Sequence, residues 1–164
     1  MDIVVVLDCD WFIIGKQPSV KVLSYALVGG GKNGDLTFSL PQKAAQFSSN
    51  LTKQARHSHG LVWSTEGEYN QNQLPEALAY LFDIVLRKRP SECIFYAKGL
   101  QKCQLLETWL PTVYNLEDLG CPRFDQLTNK PLSTQNKAIV FSAWLSAQRS
   151  GTLLPPVTLG VSLI

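Results

Sequence analysis

Two carboxylates one residue apart, Asp8 and Asp10, close the apolar run that opens the chain. Alternate residues of a strand point to one face, so this pair can converge on a single cation. Further along, Lys98-Gly99-Leu100-Gln101-Lys102 leaves a second apolar run and sets two ammonium groups four residues apart. Beyond a third short run stands Asn115-Leu116-Glu117-Asp118, which adds more side-chain oxygens. Asp8, Asp10, Asp118 and, on a helix, Asp83 are the acids that could act together on a metal ion. For Asp83 the plainer reading is a solvated helix position.

Other chemistry finds less support. The four cysteines are Cys9, Cys93, Cys103 and Cys121, with no CxxC spacing. Cys9 and Cys93 fall in predicted strands, where cysteine acts as a small hydrophobe. Zinc needs four ligands near tetrahedral geometry. Only Cys103, Cys121, His57 and His59 could supply them, and their spacing matches no zinc motif, so no bound metal is expected. His59 is expected instead at a helix C-terminus, where cations are favoured, and His57 is expected to be exposed. The glycines of Gly29-Gly30-Gly31 precede a strand, whereas a phosphate-cradling loop precedes a helix N-terminus.

At 164 residues the chain fits one domain with one core. A composition 45% hydrophobic and 17% charged excludes disorder. The net charge of +2 is too small to argue for a polyanionic partner. No apolar run reaches the roughly 20 residues that span a bilayer, so no membrane partner is expected. Met1-Asp2 leads straight into a strand with no secretory pattern, which predicts an intracellular protein of cytoplasm or nucleus with reduced thiols.

The elements that must position these residues can be read from periodicity. Residues 3–8 form a buried central strand, prolonged to Ile14, and residues 15–19 turn. Residues 20–28 and 35–40 are the next strands, joined by the glycine-rich loop 29–34. A helix is expected over 42–56 and a polar loop over 64–73. Leu74, Leu78, Leu81, Phe82 and Val85 mark an amphipathic helix over 75–89, with Arg87-Lys88-Arg89 complementing its dipole. Strands over 93–97 and 112–116 flank a helix over 101–109. Ser133 or Thr134 caps a last helix running to Arg149. The result is a domain over 1–150 and an apolar tail, 151–164, that must pack on the domain or on a partner.

Three strands in a meander, then alternating helix and strand, imply a mixed five-stranded sheet with helices on both faces. This order resembles the three-layer RNase H-like fold of the DEDD-type 3′–5′ exonucleases. Asp8-Cys9-Asp10 stands where that family has Asp-x-Glu, and His59-Gly60-Leu61 resembles its His-Gly-(Ile/Leu). In the segment that reads Gly-His-Asn-x-x-Phe-Asp in the family, the asparagine falls on Lys98 and the aspartate on Lys102. In the final helix the motif histidine falls on Asn136 and the aspartate on Phe141.

The Lys98 to Lys102 and Asn115 to Pro122 blocks are also similar to those of mobile-element-associated arthropod proteins, distant relatives of the Maelstrom domain. There a Glu-Cys-His-Cys set holds zinc in place of the nuclease acids. Of that set the resemblance places only Cys121, and Lys21-Val22-Leu23 stands where those relatives often carry Lys-Glu-Leu.

The resemblance therefore implies a catalytically inactive, exonuclease-like module without a cofactor. Lys98, Lys102 and Lys137 would line the old acidic cleft, where they could meet RNA or another single-stranded nucleic acid. The simpler alternative is that Lys102 and Lys137 form salt bridges to Asp8 or Asp10. A second reading is an active Mg²⁺- or Mn²⁺-dependent 3′–5′ nuclease using Asp8, Asp10, Asp118 and Asp83. A third is a protein-interaction module, a self-associating adaptor or scaffold, using some of Trp11, Trp63, Trp109 and Trp144, with Trp109-Leu110-Pro111 and the tail exposed for contact.

Overall fold

The β-branched run that opens the chain becomes the centre of the sheet. In a computed structural model, described for residues 2–40 and 66–150, β1 (Ile3–Ile14) is followed by β2 (Gln17–Leu27) and β3 (Asn33–Thr37). Two further strands, β4 (Cys93–Ala97) and β5 (Val113–Asn115), complete a sheet of order β3-β2-β1-β4-β5. The meander pairs are antiparallel, while β1–β4 and β4–β5 are parallel. The β1–β2 turn is tighter than the predicted 15–19, because Gly15 takes a positive φ of 67° and lets Gln17 start pairing with Ile14.

Alternation along β1 divides the core into two layers. Val5, Leu7 and Cys9 face helix α1 (Leu74–Tyr80), its continuation Leu81–Leu86, and helix α2 (Leu100–Leu106). Val4 and Val6 face the opposite way, against Phe141, Trp144 and Leu145 of the long helix α4 (Thr134–Ser150). Fully burying each such side chain is worth roughly 1.5–3 kcal/mol, so the alternation alone holds helices to both faces. The molecule is an α/β protein with an open, mixed five-stranded sheet.

Several boundaries depart from the periodicity. The helix predicted over 75–89 starts at Leu74, turns π-helical over Leu81–Leu86, and stops there. Arg87 takes a left-handed conformation and the Lys88 N–H closes back on the Phe82 carbonyl at 3.1 Å, so Arg87-Lys88-Arg89 lie beyond the helix they were expected to finish. The helix predicted over 101–109 ends at Leu106, and Leu110 is buried while Trp109 packs against the core. Trp109-Leu110 is thus core rather than an exposed contact; Trp11 also packs there, and Trp144 is buried on the other face. Apolar periodicity does not predict the short helix α3 (Phe124–Leu127) or the 3₁₀ turn Leu116–Leu119. The predicted helix over 42–56, His57, His59, Trp63 and the tail 151–164 lie outside the described residues.

Candidate functional site

Asp8 and Asp10 share the α4 face of β1, as their spacing requires, and both are buried. Two lysines from distant helices meet them. Lys102, on α2, puts Nζ 2.5 Å from Asp8 Oδ1 and 3.6 Å from Asp10 Oδ1. Lys137, on α4, lies 2.8 Å from Asp10 Oδ2 and 3.3 Å from Asp8 Oδ2. Its ammonium also donates to Asp10 Oδ1 at 3.1 Å. A fifth side chain, Thr134, donates its hydroxyl to Asp10 Oδ2 at 2.7 Å. Side-chain exposures are 0% for Asp8, 4% for Asp10, 7% for Lys137 and 19% for Lys102, so water screens these charges poorly.

The two carboxylates are not equivalent. Burial pushes the Asp8 carboxyl up to about 6, and Lys102 offsets only part of that. Asp8 Oδ2 accepts no well-aligned hydrogen bond, although Lys137 is near. Asp10 is also penalised by burial, but Lys102, Lys137 and hydrogen bonds from Lys137 and Thr134 outweigh it and hold its carboxyl below the ordinary value. Burial disfavours the charged form of Lys102, yet its two carboxylate neighbours outweigh that and raise it, so it stays an ammonium. Two cations thus face two acids in a small, nearly closed volume.

Local sequence explains how the cations are delivered. Gly99, at φ 113° and ψ 139°, takes a conformation open only to glycine, which turns β4 into α2 and places Lys102 on its first turn. Asn115 at the end of β5 fixes that turn, its Oδ1 accepting from Gly99 N–H at 3.0 Å and Glu117 N–H at 2.9 Å. Lys98 pairs with Glu117 at 3.1 Å, and its ammonium lies 6.0 Å from the centre of the Phe141 ring. The Lys98 to Lys102 block and the Asn115 block are therefore one contact unit. At α4, Ser133 is the cap, its Oγ accepting from Asn136 N–H at 3.0 Å. That frees Thr134 for Asp10.

Asp8, Asp10, Lys102 and Lys137 come together; Lys98 stands beside them, paired with a different acid. Asp118 is exposed on the turn after β5 and Asp83 is exposed on the π-helical segment, and neither joins the cluster. Among the described residues no three His, Cys, Asp or Glu side chains converge as a metal site. Val22 pairs with Asp10 across the β1–β2 ladder, so an apolar side chain stands beside the carboxylate. Cys121 is buried behind Val4 and Val6, and burial pushes its thiol up to about 12. Sequence pattern marks Thr134 only as a cap. No local pattern could reveal a bond spanning 124 residues.

Compared with models of known protein families and with curated proteins, the chain matches none. No helix among the described residues is long and apolar enough to cross a membrane.

Proposed function

We propose that this chain is an RNase H-like domain, akin to the DEDD exonucleases and the Maelstrom-like domains, that binds without cleaving. The observation that carries the reading is the quartet of Asp8, Asp10, Lys102 and Lys137. Metal-assisted hydrolysis of a phosphodiester needs carboxylates free to gather divalent ions. Here two ammonium groups take that role. A Mg²⁺ ion would have to displace them, and repulsion between unit charges about 4 Å apart costs about 4 kcal/mol even at an effective dielectric near 20. The meander followed by two parallel strands with helical connections supports the fold assignment.

In this reading Lys102 and Lys137 are internal counter-ions, and the cleft is close to neutral. Lys98 differs, because its partner Glu117 is half exposed and can give way to a phosphate. The decisive test is incubation of labelled RNA and single-stranded DNA with the protein and Mg²⁺ or Mn²⁺, with Asp8→Ala as control. Intact substrate is the expected result. Degradation that disappears in Asp8→Ala would overturn the proposal.

A further inference from the structure

The groove at the end of the Leu74–Leu86 helix is the feature that the quartet does not explain. It is a shallow, open depression of about 470 Å³ lined by Phe82, Asp83, Ile84, Arg87, Lys88, Arg89 and Glu92. Three observations set it apart from an ordinary helix terminus. The helix widens to π-helical geometry over Leu81–Leu86, a form that is rare and concentrates at functional sites. Next, Arg87 adopts φ 54° and ψ 42°, the left-handed region, and no other non-glycine described residue has a positive φ. Helices commonly place glycine there, so a long cationic side chain is held at a conformational cost.

The third observation concerns charge. Complementing the helix dipole would be the plain role of such a basic run. Yet Lys32 Nζ already donates to the Val85 carbonyl at 2.8 Å, and the backbone of Lys88 closes on Phe82. Arg89 is held by Glu92 at 3.5 Å. Arg87 and Lys88 join no ion pair among the described residues, and Ile84 beside them is 58% exposed. The groove's lining carries three cations, Arg87, Lys88 and Arg89, against Asp83 and Glu92.

The geometry points to this groove as a binding surface for the phosphate backbone of a single-stranded nucleic acid, with Arg87 and Lys88 as the contacting cations. A guanidinium matches two phosphate oxygens at once, and exposed Ile84 adds apolar surface beside them. The surface is separate from the quartet, and the proposal does not require the quartet to be inert.

The test is fluorescence anisotropy of labelled oligouridylate and oligothymidylate across a salt series, using the full chain. The variant Arg87→Gly with Lys88→Ala should lose about fivefold or more in affinity and lower the salt slope by about 1.4, two single-strand phosphate contacts. Lys16→Ala, which removes the same charge type from the β1–β2 turn, should change neither. Arg87→Gly alone should raise Tm by about 2 °C by relieving the backbone while still weakening binding. Such a split cannot come from a merely structural role. An unchanged affinity and slope in the double variant would overturn the proposal, as would wild-type protein that binds neither oligonucleotide. Competition by polyglutamate as strong as by oligonucleotide would also overturn it, by assigning the groove to an acidic peptide. Cleavage of the oligonucleotide is a separate readout and bears only on the quartet.

Discussion

Lys137 Nζ lies 2.8 Å from Asp10 Oδ2, joining the last helix to the first strand across 127 residues of chain. Both side chains are almost wholly buried, so each is the counter-ion that keeps the other tolerable in the interior. Replacing Lys137 with Met should therefore cost about 3–5 kcal/mol, because it leaves two buried carboxylates to share the single ammonium of Lys102. Adding Asp10→Asn to Lys137→Met should recover about 0.5–3 kcal/mol relative to the sum of the single changes. Urea denaturation of the four proteins measures both. Strict additivity would show that the two residues do not depend on one another.

Asp8 should leave its mark on stability as a function of pH. Its carboxyl is raised by burial from 3.8 to about 6, so between these values the folded chain holds more protons than the unfolded one. The stability contributed by protonated Asp8 is complete below about pH 4 and is lost as pH rises through 6. An asparagine side chain cannot titrate, so the stability of wild type relative to Asp8→Asn should fall by on the order of 2 kcal/mol from pH 4 to pH 7. Paired urea curves at those two pH values give the difference directly. Asp10 acts in the opposite sense: its lowered carboxyl contributes stability above the ordinary carboxylate value that is lost on further acidification.

Removing one internal cation should create a place for an external one. In Lys102→Ala the more exposed ammonium of the quartet is gone, and Asp8 and Asp10 face a gap on the solvent side. Millimolar Mn²⁺ should raise the Tm of this variant by a few degrees through preferential binding to the folded state. Wild-type protein in the same scan should show no comparable shift. Equal responses would mean that the two lysines do not exclude the metal.

The turn that delivers Lys102 should tolerate no side chain at Gly99. A Cβ there meets no neighbour, so the cost comes only from the backbone at φ 113°. Gly99→Ala should destabilise by about 1–3 kcal/mol, the usual cost of holding an L residue in such a region. Thermal unfolding measures it, and a change below about 0.5 kcal/mol would mean that the turn can relax.

By itself the sequence determined the five described strands and their order along the chain, although β3, expected over 35–40, runs Asn33–Thr37 and β2, expected from residue 20, starts at Gln17. Val4, Val5, Val6 and Leu7 can only be central, because a run apolar on both faces has no other stable place. The same period of two puts Asp8 and Asp10 on one face, and that too was legible. Helix ends were less so: the stop at Leu86 comes from Arg87 turning left-handed, a position usually marked by glycine and here unmarked. Pairing of Asp8 and Asp10 with Lys102 and Lys137 was one of the alternatives open in the sequence, and tertiary structure decided it. Motif alignment suggested Lys102 and Lys137 as salt-bridge partners, yet nothing local distinguishes an ammonium turned inward from one turned to solvent. Which way it points depends on burial, and burial arises only when α2 and α4 close over opposite sides of one strand.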